Sequence, residues 1–235
     1  MISKTAMLAL VQGFRAADID KALTENPKLK DVRDKRGRNW LHICCGRKVA
    51  KGQEKDSIKT AQVLLKHGLD MNSVAFTEGD WKATPVWYAV GWGKNLALAE
   101  FLLQRGANPN YALWAAGFND DLVAIRLLVK HGADLEDPSV TFEPPLLGAV
   151  KWSHFGPAEE LLKLGANPDS QDKNGMTVLH LMLKKNSDKK HIAMMVRMGA
   201  RGDIENKAGV TAIDILRKKK DLDLRKLGET LAKRA

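Results

Sequence analysis

The chain has 235 residues, 44% of them hydrophobic and 28% charged, with a net charge of +10. That balance suits a folded protein and leaves no low-complexity tract. No run of about 18 apolar residues occurs, which excludes a membrane-spanning helix. The two cysteines, Cys44 and Cys45, are adjacent and poorly placed to bridge each other, so a reduced, cytosolic setting is expected.

Taken in chain order, apolar stretches with helical spacing alternate with short polar breaks. Residues 3–32 predict a first helix pair (AMLALV, then DIDKAL), and the start is read as this helix rather than as a signal peptide. WLHICC at 40–45 predicts the next helix, and RKVAKGQEKDS at 47–57 an exposed, mobile inserted loop. The stretches AQVLLK, AEFLLQ, AIRLLV, AEELLK and AMMVR then follow, each leading into a related phrase: HGLDMN at 67–72, RGANPN at 105–110, HGADLE at 131–136, LGANPD at 164–169 and MGARGD at 198–203. Each phrase holds a Gly suited to the left-handed conformation that ends a helix. The Gly spacings are 38, 26, 33 and 34 residues, the period of a stacked repeat array.

Upstream of these phrases stand DKRGRNWLHICC at 34–45, KATPVWYAV at 82–90, EPPLLGAV at 143–150 and DKNGMTVLHLML at 172–183. Thr84, Pro85 and Ala89, and Asp172, Gly175, Thr177, Leu179 and His180, carry the strongest copies. Together with the Gly phrases they resemble the ankyrin-repeat family, whose unit is a turn, T-P-L-H-x-A opening one helix, a second helix, and G-A-D/N. Pro85 and Pro145 fit a first helical turn, where no backbone donor is needed, and Thr84 and Thr177 can satisfy free amides there.

The resemblance implies an all-α solenoid of about seven helix-turn-helix units with end caps and short turn fingers, at 3–32, 33–72, 73–110, 111–136, 137–169, 170–204 and 205–235, in one domain spanning 1–235. The unit at 111–136 is expected to have almost no finger. In departure from the family, Trp40 stands where Pro is usual, and Trp87 and Trp114 replace its His; all three are assigned to packing.

The resemblance also implies a concave face lined by the fingers and the late part of each first helix. Carried over, it places Arg47, Trp92, Phe118, Asn119, Lys151, Trp152, Lys184 and Lys185 there; Tyr88 joins Trp92 one turn away, and Trp81 falls in a finger, as does Phe142. A row of exposed aromatics followed by Lys suggests an anchor site. A non-enzymatic adaptor or scaffold binding a protein partner is therefore the leading expectation. That partner is expected to carry an acidic surface, and the chain to act as a cytoplasmic monomer. The alternatives are binding of single-stranded nucleic acid or another anionic polymer, and a regulatory subunit of an enzyme.

No cofactor, metal or catalytic motif is expected. His42, Cys44 and Cys45 form a local His-x-Cys-Cys, but His42 occupies the family's turn-bonding position and no second pair lies at zinc spacing. Glu159 and Glu160 read as solvated on an outer helix. Charge is uneven: residues 28–66 hold twelve Lys or Arg against four Asp or Glu, residues 67–150 five against ten, and residues 151–235 eighteen against eleven. The interrupted basic track argues against duplex binding. Arg217 to Lys220 form a basic run read as part of a solvated capping helix.

Overall fold

The computed structural model describes residues 2–76, 82–138 and 143–234. Fourteen α-helices occur among them, as seven consecutive pairs. The first helices are α1 (Lys4–Gln12), α3 (Trp40–Gly46), α5 (Pro85–Tyr88), α7 (Asn110–Phe118), α9 (Pro145–Lys151), α11 (Val178–Lys184) and α13 (Ala212–Arg217). Their partners are α2 (Ala16–Glu25), α4 (Glu54–Lys66), α6 (Leu96–Leu103), α8 (Leu122–Lys130), α10 (Phe155–Lys163), α12 (Lys189–Arg197) and α14 (Leu222–Ala232). Extended pairing among the described residues is confined to the isolated bridges Ala75–Ala83 and Glu205–Thr211.

The chain falls into two compact lobes: Met1–Ala116 with Leu127–Ala133, and Gly117–Arg126 with Asp134–Ala235. In the first lobe α1, α3 and α5 pack side by side, and so do α2, α4 and α6. In the second lobe α9, α11 and α13 form one layer, backed by α10, α12 and α14. No helix here is wide enough to bury its own apolar face, so each pair is completed by its neighbours. Leu41, Leu64, Leu98 and Leu102 are fully buried in the first lobe, and Leu147, Leu179 and Met182 in the second.

Local chemistry sets the ends of these helices. Ser3, Asn39, Thr84, Asn95, Asp121, Thr211 and Asp221 each accept a hydrogen bond from an amide in the first turn of the helix that follows. Gly68, Gly106, Gly132, Gly165 and Gly199, the repeated glycines, all have φ between 84° and 103°. Between the helices of a pair the chain uses a different left-handed residue, at Phe14, Lys94, Asp120, Ser153 and Asn186.

Three fingers share one turn. The Asp34 carboxylate accepts from the amides of Arg36 (2.9 Å) and Arg38 (3.0 Å). Asp172 does the same for Asn174 (2.8 Å) and Met176 (2.9 Å), and Asn206 for Ala208 (2.9 Å) and Val210 (3.2 Å). Gly37, Gly175 and Gly209 complete these turns with positive φ.

The insertion in the second repeat is shorter than the sequence suggests. Helix α4 starts at Glu54, so of residues 47–57 only 47–53 lie between helices. Glu54 and Asp56 sit in the first turn, where the helix dipole favours acidic side chains, and this charge pattern extends the helix. Trp40 and Trp87 are buried as expected, whereas Trp114 is only half-buried. Glu160 is also not solvated: it is 8% exposed and takes a two-pronged contact from Arg126 at 2.6 and 3.0 Å. The Arg126 hydrogen bond holds its carboxyl below the ordinary glutamate range.

His42 and His180 link neighbouring repeats. Each ring Nδ1 accepts from the amide of its own cap residue, Asn39 or Thr177, both at 3.2 Å. Each Nε2 donates to the next finger, at Ser73 O (3.0 Å) and Val210 O (2.9 Å). Burial lowers His42 from 6.5 to about 4. The unfolded chain then takes up a proton near pH 6.5 that the folded chain refuses until about pH 4, so stability falls as pH drops through that window. The expected loss is roughly 3 kcal/mol, read as a falling melting temperature. The slope is shallower in His42→Gln.

Cys44 and Cys45 are fully buried. Burial pushes the Cys44 thiol up to about 12 and Cys45 up as well. A thiol reagent is expected to label neither at neutral pH until the chain unfolds.

Gly93 approaches the backbone of α3 so closely that a Cβ there would lie 2.1 Å from the Cys45 carbonyl oxygen. Gly93→Ala is expected to destabilise the first lobe by about 3 kcal/mol or more. Gly117→Ala, in a helix with no atom within 4 Å of the added Cβ, should gain about 0.5–1 kcal/mol. Thermal melts that place the two changes in the reverse order would contradict this packing.

Candidate functional site

In the first lobe the TPVWYAVGWG segment builds an aromatic cluster. Thr84 and Pro85 start α5, and the backbone then widens into a π turn at Ala89–Gly93 before Lys94 reverses it with φ 50°. Such turns are often retained where function requires a side chain to be re-aimed. Trp92 leaves this turn 40% exposed, with its ring 5.1 Å from Tyr88, 5.8 Å from Trp87 and 6.2 Å from Phe76. The Arg36 guanidinium lies 5.5 Å from the Phe76 ring and 6.0 Å from Trp92.

Tyr88 does not share the surface with Trp92, which corrects the expectation from helical spacing. It is fully buried, and burial raises its hydroxyl to about 12. The reason lies in α3. Gly46 has no side chain, and a Cβ there would meet the Tyr88 ring at 2.9 Å, while His42 presents its edge to that ring at 5.5 Å. The neighbouring helix thus comes close enough to cover Tyr88.

In the second lobe Phe118 ends α7 and Trp152 follows α9. They are 42% and 61% exposed, and their rings meet edge to face at 5.5 Å. Ser153, with φ 62°, turns the chain immediately after Trp152, and His154 returns to lie 5.9 Å from Phe118. Asn119, just after α7, and Lys184, at the end of α11, are exposed.

Two of the expected partner-binding lysines are engaged within the chain. Lys151 is half-buried between Glu143 and Asp172, the latter at 3.6 Å. Lys185 donates to the Lys151 carbonyl oxygen at 2.5 Å and to Ser153 Oγ at 2.8 Å. Lys219, one repeat later, donates to Leu183 O at 3.3 Å and Asn186 Oδ1 at 2.7 Å. These ammonium groups satisfy carbonyls at the preceding helix end, where the dipole favours positive charge. Lys185 therefore braces the segment that carries Trp152.

Arg47 is exposed at the end of α3 and belongs with α1 rather than with the aromatic clusters. Trp81 and Phe142 lie outside the described residues. Sequence reasoning missed Arg36 and Phe76: Phe76 has φ 63°, a conformation that no residue pattern announces, and its amide bonds the Arg36 carbonyl at 2.8 Å. The 34-residue spacing of Lys185 and Lys219 is a visible signal of their shared role, whereas Lys151, 34 residues before Lys185, pairs with carboxylates instead.

The described residues hold no cluster of three or more His, Cys, Asp or Glu able to bind a metal, and no helix among them is long and apolar enough to cross a membrane. The surface offers partly exposed aromatic faces beside fixed cations, a chemistry of recognition.

Comparison with known proteins agrees with this architecture. The ankyrin-repeat family model matches residues 81–112. The phosphocholine transferase AnkX of Legionella pneumophila is 26% identical over 140 residues, covering 55% of this chain and 14% of that protein. The Arabidopsis thaliana potassium channel AKT2/3 is 26% identical over 181 residues, covering 77% of this chain and 17% of the channel. The chain thus spans less than a fifth of the length of either relative. The crystal structure of the human ASB11 ankyrin repeat domain superposes with a TM-score of 0.68 at 19% identity, covering 97% of this chain and 98% of that one. With its seven helix pairs, its glycine-ended second helices and its histidine-linked fingers, the chain has the ankyrin-repeat fold.

Proposed function

We propose that the chain is a non-enzymatic protein-interaction module, acting in the cytoplasm, whose partner docks on the face bearing the ends of the first helices. Ankyrin-repeat domains generally mediate protein–protein interaction. The observation that carries the reading is the Phe118–Trp152 pair, two large rings in edge-to-face contact that both remain substantially exposed. A soluble surface rarely spends two aromatics this way without a partner to cover them. Asn119 and Lys184 supply polar contacts at its rim, and Trp92 offers an anchor within its own lobe.

Lys151 contributes by positioning, because its charge is paired with Glu143 and Asp172, and Lys185 by bracing the segment at Lys151 and Ser153 through hydrogen bonds that leave its charge intact. The likeness to AnkX covers 14% of that transferase and does not carry its activity to this chain. Single-stranded nucleic acid is the competing occupant, since aromatic stacking flanked by lysine also suits it.

The test is affinity capture from native lysate, with and without nuclease, by the wild-type chain and by Phe118→Ala and Trp152→Ala. Each truncation is expected to weaken capture of a nuclease-resistant protein partner by about 1–4 kcal/mol while leaving the melting temperature nearly unchanged. Trp87→Ala, in the core, should instead cost about 3–5 kcal/mol of stability. Loss of all capture on nuclease treatment would transfer the site to nucleic acid. A sharp drop in the melting temperature of Trp152→Ala would return Trp152 to the core and remove the assignment.

A further inference from the structure

A second recognition feature lies in the first lobe, where Gly46 and Arg38 back onto the buried Tyr88. Between α1, the turn at 32–38 and α3 is a cavity of about 400 Å³, within the size range of ligand pockets. Its apolar lining comes from Leu8, Trp40 and Ile43, and its rim carries Lys4, Arg38 and Arg47. Trp40 is fixed there because its indole N–H donates to the Leu29 carbonyl at 2.7 Å. Gly46 also lines the α3 side of the wall, with the Tyr88 ring packed where its side chain would stand.

The cavity has one acid, Asp34, and its charge is already spent. Arg38 reaches it through Nε and a terminal guanidinium nitrogen, both at 2.7 Å, and two backbone amides bond its other oxygen. These contacts hold the Asp34 carboxyl below the ordinary range against the opposing effect of burial. Subtracting that pair leaves the Lys4 and Arg47 charges over an apolar interior. Lys4 is positioned by donating to the Arg33 carbonyl at 3.0 Å, a bond that leaves its charge intact. The surrounding sequence deepens the field, because residues 28–66 carry twelve basic side chains against four acidic ones.

We infer that this cavity binds an acidic peptide segment, with an apolar side chain seated against Leu8, Trp40 and Ile43 and the adjoining carboxylates held by Lys4 and Arg47. Charge complementarity selects the class: a cationic or neutral segment gains nothing from the rim, and a bare anion leaves the apolar interior unused. The exposed Thr5 and Gln12 side chains, on the α1 side, can bond the backbone of such a segment. The inference stands apart from the Phe118–Trp152 reading, and either can fail without the other.

The test uses the full chain and three fluorescein-labelled peptides blocked at both ends: Gly-Leu-Glu-Glu-Gly, Gly-Leu-Gln-Gln-Gly and Gly-Ser-Glu-Glu-Gly. Binding is read by fluorescence anisotropy at physiological ionic strength. The Leu-Glu-Glu peptide is expected to bind about tenfold or more tightly than either of the others. Lys4→Glu and Arg47→Glu, both at exposed positions, should each weaken it by about tenfold, whereas Lys226→Glu, an equal charge change in the second lobe, should leave it unaltered. The proposal is overturned by absence of binding, by equal binding of the Gln or Ser peptide, or by a Lys226→Glu effect as large as that of Arg47→Glu. Complete displacement by inorganic phosphate, showing a general anion site, would overturn it as well.

Discussion

Asn72 accepts the amide of Asn108, Glu136 that of Asn167, and Asp169 that of Arg201, at 2.8 Å each. Through these bonds, and through the His42 and His180 contacts to the following finger, every turn concerned is finished by a residue about one repeat away. A helix pair of this size buries too little apolar surface to fold alone. Its stability is therefore a property of its neighbours, and the polar bonds between turns fix the register in which the apolar faces meet. The buried histidines suit this task because neutral imidazole offers one donor and one acceptor at opposite ends, and each end has its partner.

Once register is fixed, the two ends of each helix pair are under different constraints. At the glycine-ended second helices, the chain must reverse tightly, and five copies use the same left-handed glycine. At the ends of the first helices the reversal is made by Lys94, Asp120, Ser153 and Asn186 among others, so the residue just before each reversal can vary in kind. Trp92, Phe118 and Trp152 all stand at or near this point. The fold tolerates large aromatics here because their rings project beyond the packed layer, and neighbouring cations such as Arg36 and Lys185 then hold them in place.

Charge follows the same division of labour. Net charge alone suggests a surface rich in free lysine, yet Lys151, Lys185 and Lys219 are spent on carboxylates and helix-end carbonyls. Lys4 and Arg47, on α1 and at the end of α3, are exposed beside the first finger, in or next to the stretch where the sequence is most one-sided. The second lobe carries the Phe118–Trp152 pair, and the first lobe carries both the Trp92 cluster and the cationic, apolar-lined cavity.

The sequence by itself determined the helix pairs, the glycine reversals and the caps, because each depends on bonds made within a few residues or on an apolar period repeated along the chain, while the turn-bonding role of His42 came from the family resemblance. It also placed Trp92, Phe118 and Trp152 at exposed helix ends. Tertiary structure decided what no local pattern contains. Tyr88 stands four residues before Trp92 but is covered, because the π turn between them re-aims Trp92 and Gly46 on another helix admits the Tyr88 ring. Glu160 looks solvated beside Glu159 but is buried against Arg126, thirty-four residues away. Lys151 and Lys185 look available, but Lys151 is paired with Asp172 and Lys185 is tied to the Lys151 carbonyl, groups from other repeats. In each case the deciding partner is distant in sequence, and only the packing of one helix pair on the next brings it within hydrogen-bond or van der Waals reach.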